Sequence, residues 1–270
     1  MNMGALTKMK AWFDPASPAA EGVVRYALRV GAHEVPMADR IGQPFTLRFT
    51  GQMTCVSCGR GVMKFYGQGF CFPCFRDAPE ASQCIVRPEL CRAHLGEGRD
   101  PQWERDHHDT EHFVYLSHTG GIKVGVTRGT QVPTRWIDQG AGAAVLIART
   151  PYRQLAGAIE VALKAHFADR TNWRKMLGPV LFEDSTLVAA RAGLLEKLPP
   201  ELHPYLLPDE LPQHITYPVL AAPPKVTSIN LEKELEVSGV LAGIKGQYLI
   251  LADGRVLNVR NHSGYHVAVE

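Results

Sequence analysis

Two Cys-x-x-Cys pairs, Cys55-Val56-Ser57-Cys58 and Cys71-Phe72-Pro73-Cys74, stand twelve residues apart and constrain the fold more than any other stretch of the 270-residue chain. Each pair can turn two thiolates toward one point, and Gly59 permits a tight knuckle after the first. Two knuckles together supply four sulfurs, enough to close a tetrahedral shell. Cys55, Cys58, Cys71 and Cys74 are therefore expected to hold a structural zinc ion, because a closed shell leaves no coordination position for a substrate. Disulfides are the competing use of these thiols and need an oxidising compartment. The first ten residues lack the apolar core of a secretory signal, and no apolar run approaches the roughly 20 residues that span a bilayer. The expectation is a cytoplasmic protein with no membrane partner.

With residues 61–70 read as a hairpin between the knuckles, the unit resembles a zinc ribbon. A second group of donors follows at looser spacing: Cys84, Cys91, His94, His107, His108 and His112. Cys84, Cys91 and His108 are the preferred ligands of a second zinc, with the fourth open between His94 and His112. Histidine-rich ligation is uncommon for iron–sulfur clusters, which fit less well. Buried thiols and surface histidines are the plain alternative.

Between 113 and 175 several reactive residue types sit in order on a readable scaffold. Residues 113–116 and 122–127 read as strands around a Gly120-Gly121 turn, and Pro133 with 134–139 reads as a short helix that Gly140 and Gly142 end. A strand over 143–147 precedes a long helix over 152–167, where Leu155, Ala156, Ile159, Ala162, Leu163 and His166 recur at three-and-four spacing. Glu160 lies beside that apolar face. The same stretch holds nine Lys or Arg against three Asp or Glu, a local charge of +6 in a chain whose total is +2. That excess favours an anionic partner.

The order β-β-α-β-α, with Tyr115 on the first strand, Lys123-Val124-Gly125 on the second, Thr127 two residues on, Arg135 on the first helix and Glu160 on the second, resembles the GIY-YIG nuclease superfamily. The resemblance spans roughly a quarter of the chain. It implies that Tyr115, Lys123, Arg135, Glu160 and the late Asn172 are catalytic, with Glu160 holding a divalent Mg2+ or Mn2+ and DNA or RNA as substrate. Two positions depart from the pattern: Lys123 replaces the first tyrosine of YIG, and Gln139 stands where many members carry a histidine. The chemistry is coherent. A lone carboxylate leaves room for water and phosphate around its ion, a guanidinium stabilises phosphate charge, and Tyr115 or Lys123 could help deprotonate the attacking water. Each residue also has a structural use: Tyr115 as a strand aromatic, Arg135 as a solvated helix residue, Glu160 as the partner of Lys164, Asn172 as a helix cap.

Outside this stretch, 23–30 and 44–49 have strand character, with alternating Arg25, Arg29 and Arg48 read as a solvated face and a nucleic-acid-facing side as the alternative, and 185–198 reads as a helix with a core-facing stripe. Residues 199–224 carry eight of the nineteen prolines and read as a connector without interior strand. The tail alternates as strands over 235–243, 247–252, 255–260 and 265–269, with an Asp253-Gly254 turn. The expected fold is α+β in four parts: a β region with the zinc ribbon over 1–110, a GIY-YIG-like domain over 111–198, the connector over 199–224 and a small antiparallel β module over 225–270. A ribbon joined to such a unit resembles an uncharacterised bacterial family. The leading expectation is a metal-dependent nucleic-acid phosphodiesterase. The alternatives are a non-catalytic zinc-containing nucleic-acid-binding protein and a zinc-stabilised protein-interaction scaffold.

Overall fold

The computed structural model describes residues 2–18, 21–178 and 184–270, a mixed α+β architecture that is mostly sheet with a few short helices. The chain opens on β1 (Asn2–Phe13), β2 (Glu21–Val30), β3 (His33–Pro36) and β4 (Pro44–Met53). In β2 the apolar Val24, Tyr26, Leu28 and Val30 are buried while Arg25 and Arg29 are exposed, the period-two alternation of a strand with one wet face. Arg25 pairs with Asp14 at 2.6 Å, Arg29 with Glu34 at 3.8 Å and Arg48 with Glu236 at 2.8 Å, so these arginines are solvated. Beyond β4, α1 (Phe72–Asp77) begins directly after Cys71, and α2 (Pro101–His107) is capped by Asp100, which accepts from the amides of Gln102 and Trp103. The expected hairpin over 61–70 does not form. Tyr66 bridges Phe70 around Gly67 and Gly69, both at positive φ, but Gly61 and Val62 pair back with Thr54 and Met53 instead of across the 61–70 stretch.

The central stretch runs β5 (His112–His118), β6 (Ile122–Arg128), α3 (Thr134–Asp138), β7 (Ala143–Thr150), α4 (Arg153–Leu163) and α5 (Trp173–Leu177). β5 pairs antiparallel with both β6 and β7, leaving β6 at the sheet's end. Helix α4 is shorter than its apolar spacing suggests: it stops at Leu163, and His166 is exposed. Ala156, Ile159 and Leu163 are its buried apolar positions. They pack with Val114, Leu116, Val124 and Ile147 of the sheet. The expected helix over 185–198 is broken by Gly193 into α6 (Asp184–Ala192) and α7 (Leu194–Lys197).

Residues after 198 hold β8 (Gln213–Thr216), β9 (Thr227–Ser228), β10 (Glu236–Lys245), β11 (Tyr248–Leu251), β12 (Arg255–Asn258) and β13 (Tyr265–Val269). The connector therefore carries an interior strand after all: β8 lies between β7 and β2, since Gln213 to Tyr217 is free of the prolines that flank it at 212 and 218. The tail strands are joined to the front of the chain, with β13 between β1 and β4 (Val269 opposite Asn2 and Leu47) and β10 along β4. A large core of Leu6, Met9, Leu28, Phe45, Leu47 and Val267 forms where first and last strands meet. Each such side chain contributes about 1.5–3 kcal/mol on full burial. Trp136 and Ile137 of α3 and Tyr115 of β5 belong to this core, which ties the central helix to the outer sheet. Among the described residues no helix is long and apolar enough to cross a membrane.

Candidate functional site

Tyr115 and Gly125 face each other across the β5–β6 ladder, and the missing side chain has a purpose. A Cβ at Gly125 would lie 2.6 Å from the Tyr115 hydroxyl oxygen, so only glycine leaves room for the phenol. That hydroxyl donates to Gln139 Oε1 at 2.8 Å. Lys123 is two residues away on the same strand face, nearly buried, with Nζ 3.4 Å from Thr171 Oγ1. Arg135 projects from α3, and Glu160 from α4, where Lys164 Nζ lies 3.6 Å from Glu160 Oε2. All of Tyr115, Lys123, Arg135 and Glu160 line one cleft of about 780 Å³.

The cleft is basic. Among the described residues, seven Lys or Arg face three Asp or Glu on its walls, including Arg153 at the start of α4, Arg170 and, from the tail, Arg260. Arg135, Arg153 and Arg260 also border an adjoining recess of about 290 Å³ that Thr127 lines. Burial, reinforced by the Arg135 charge, pushes Lys123 down to about 8, although Glu160 and Asp169 act the other way. Burial raises Glu160 above the usual carboxylate range, opposed by Lys164 and Lys123. Tyr115 is also raised by burial, so its phenol stays protonated near neutrality. Asn172 is not part of the cleft lining: it is exposed, and its Oδ1 accepts from the Lys175 amide as the cap of α5. Its neighbour Thr171 faces the cleft instead.

Cys55, Cys58, Cys71 and Cys74 converge as their spacing implies, with donor atoms all within 4.8 Å of one another. Cys58 and Cys71 sulfurs stand 3.8 Å apart, close to the edge of a tetrahedron with metal–sulfur bonds of about 2.3 Å. The Cys55 thiol loses some stability as a thiolate through burial, but backbone amides including Cys58 and Cys71 more than offset this and bring it down to about 6. The cluster is compatible with zinc.

The second donor group assembles differently from its expected form. Cys84, Cys91 and His108 meet, and the fourth donor is Glu104, one helical turn before His108 on α2. His94 and His112 are elsewhere: the His94 ring stacks on Tyr152 at 4.4 Å, and His112 Nδ1 lies 2.7 Å from the Thr110 carbonyl oxygen. Burial pushes His112 down to about 3. His107 stacks on Trp103 at 4.1 Å. Glu104 was missed because a carboxylate on a short helix is ordinarily solvated, yet the Asp100-Pro101 start and the Glu-x-x-x-His spacing place both side chains on one face. Arg153 and Arg260 had no motif to mark them.

The family described as "Protein of unknown function (DUF2797)" matches residues 42–267, and the chain belongs to that family. No curated protein and no solved structure matches it.

Proposed function

We propose that this chain is a metal-dependent nucleic-acid phosphodiesterase whose central unit follows the GIY-YIG arrangement, with the four-cysteine cluster as a structural zinc ribbon. The observation that carries the reading is the convergence of Tyr115, Lys123, Arg135 and Glu160 on one basic cleft, from four separate elements in the order β5, β6, α3, α4. Glu160 is the carboxylate that would hold Mg2+ or Mn2+, and such an ion supplies Lewis-acid polarisation of the phosphate and its water. Arg135, with Arg153 and Arg260, binds the phosphate oxygens and stabilises the charge that grows on them. Lys123, lowered to about 8, is neutral often enough near physiological pH to accept the water's proton as its oxygen bonds to phosphorus and a P–O ester bond breaks. Tyr115 stays protonated and gives its one proton to Gln139 Oε1, so it offers the cleft an oxygen that accepts a hydrogen bond from the attacking water and orients it. Gln139 thereby gives the second departure from the family pattern a local role. The six free thiols fit a reducing compartment such as the cytoplasm.

One observation favours the second reading, a nucleic-acid-binding protein without turnover: Lys164 already neighbours Glu160 at 3.6 Å and competes with an ion for it. Incubating the purified protein with single- and double-stranded DNA and RNA, with and without added Mg2+ or Mn2+, separates the two. Ion-stimulated cleavage supports the first, and binding without cleavage the second. Lys123→Met should keep the apolar stem in its strand and reduce turnover by about 100-fold or more. It should also remove the rise of rate with pH toward 8. An unaltered rate and pH profile would make Lys123 a strand residue with no part in proton transfer.

A further inference from the structure

We propose that Cys84, Cys91, Glu104 and His108 form a second, closed metal centre for a zinc-class divalent ion, and that this centre is the mount that positions α4 at the cleft. The four donor atoms lie within 4.8 Å of one another, and Cys84 Sγ is 3.7 Å from His108 Nδ1. Metal bonds of about 2.0–2.3 Å in a tetrahedron demand separations of roughly 3.3–3.8 Å, so the wider donor pairs draw in while Glu104 Oε2 and His108 Nδ1, now in direct contact, open to admit the ion. Two sulfurs, a nitrogen and one carboxylate oxygen are softer than magnesium or calcium prefers and suit zinc. With four protein ligands there is no open position, which makes the centre structural.

Two independent features call for an ion here. The exposures of Cys84, Cys91, Glu104 and His108 are 9%, 2%, 4% and 3%; the Glu104 carboxylate already contacts His108 Nδ1, but two cysteine sulfurs converge on the same buried pair, and four donors gathered out of water are best satisfied by one shared cation. The surrounding segment also has almost no core. Between α1 and α2 the chain makes four single 3-10 turns, Pro79–Ala81, Gln83–Ile85, Pro88–Leu90 and Ala93–Leu95. Its own buried apolar cluster is Cys84, Cys91 and Ala93, two of them the ligands themselves. A segment built this way needs a staple.

The staple is connected to the cleft through the backbone of its own ligands. The Cys84 carbonyl accepts from Arg153 Nε and Nη2 at 3.1 and 3.0 Å, Ile85 accepts from Nη2 at 3.0 Å, and the His108 carbonyl accepts from the Arg153 amide at 2.9 Å. Arg153 is the first residue of α4, so two ligand residues hold the start of the helix that bears Glu160. One turn on, a Cβ at Gly157 would come within 2.3 Å of the Glu89 nitrogen, so helix and staple touch backbone to backbone. The arginine also balances charge. Two thiolates and a carboxylate carry three negative charges against two on the ion, and the guanidinium offsets the remainder. None of this depends on what the cleft does.

The test uses the full chain, purified reduced and loaded with zinc or cobalt(II). Wild type should hold two ions. Glu104→Gln and Cys84→Ser should each hold one, Glu104→His and His94→Ala two, and the Cys58→Ser, Cys74→Ser pair should lose the other ion only. Cobalt absorbance should show a four-thiolate and a two-thiolate site filling in wild type, a readout that stands even where a variant fails to fold. Amide exchange over 153–163 should quicken by about 10-fold or more in Glu104→Gln while α3 keeps its protection. One ion in wild type, with Cys84 and Cys91 alkylating freely or joined as a disulfide, would overturn the centre. Two ions in Glu104→Gln would overturn its ligand set. Loss of the ion without faster exchange in α4 would overturn the mount.

Discussion

Helices α3 and α4 carry groups that line the same cleft, Arg135 on one and Glu160 on the other, yet they are held by different means. Helix α3 buries Trp136 and Ile137 in the large core between the first and last strands. Its Asp138 is ion-paired with Lys8 and accepts from Gln247 Nε2 at 2.9 Å, while Gln247 also bonds both backbone groups of Met9. Helix α4 packs one face on the sheet, but its start is fastened to a coreless segment through three backbone carbonyls and a backbone contact at Gly157. A support spread over many apolar contacts degrades gradually when one is lost. A support that passes through a few polar atoms fails when those atoms change charge or lose a ligand.

Acid should expose this asymmetry most strongly. His112, at the start of β5, is held down to about 3 by burial, whereas the unfolded chain takes up its proton near 6.5. The folded state therefore binds fewer protons between those values. Its stabilising contribution is complete above about 6.5 and is lost as pH falls toward 3, up to roughly 5 kcal/mol. Thermal melts across that range should fall steeply, with amide exchange rising in α4 and 78–112 before α3. His112→Gln should flatten the dependence, and an unchanged slope would remove His112 as its source.

Asp138→Ala attacks the other support. It leaves Gln247 and Lys8 without their partner, and a buried polar network broken on one side loses about 2–4 kcal/mol. Melting should drop by roughly 5–10 °C. The metal content of both cysteine groups should not change, and a loss of metal would show that the supports are not separate. Gly157→Ala should cost about 1–3 kcal/mol, because the added Cβ meets backbone atoms of Pro88 and Glu89 at 2.3–2.8 Å and is accommodated only if the helix and the 88–89 backbone move apart. Its effect should appear as faster exchange in 78–108 and at the start of α4.

What was legible in the sequence divides along the same line. The strands and helices of the central stretch were readable because hydrophobic period, Gly turns and Pro starts are local signals, and so were Cys55, Cys58, Cys71 and Cys74, whose two knuckles are each four residues long. Local signals also explain the errors at element ends: His166 fits the α4 spacing but falls beyond the helix, which ends at Leu163. Glu104 and Arg260 were not legible, because nothing near them in the chain records that they approach Cys84 or Arg135. The strand at 213–216 was hidden by prolines that bracket it without entering it. Asn172 shows the reverse problem, a residue that matches a motif and is occupied as a cap. Asn172→Ala should therefore lower stability by about 1 kcal/mol and leave nucleic-acid cleavage unchanged. A large loss of cleavage with an intact α5 would return it to the site.

The central claim is that the cleft performs ion-dependent phosphodiester hydrolysis through Glu160, and the most direct test compares Glu160→Gln with wild type in single-turnover cleavage. The substitution keeps the size of the side chain and its packing on α4 while removing the charge that would hold the ion. Wild type should cleave nucleic acid only when Mg2+ or Mn2+ is added. The variant should melt and bind nucleic acid like wild type but lose cleavage by about 100-fold or more. Cleavage by Glu160→Gln at the wild-type rate, or wild type that binds nucleic acid and never cleaves it with either ion, would contradict the account.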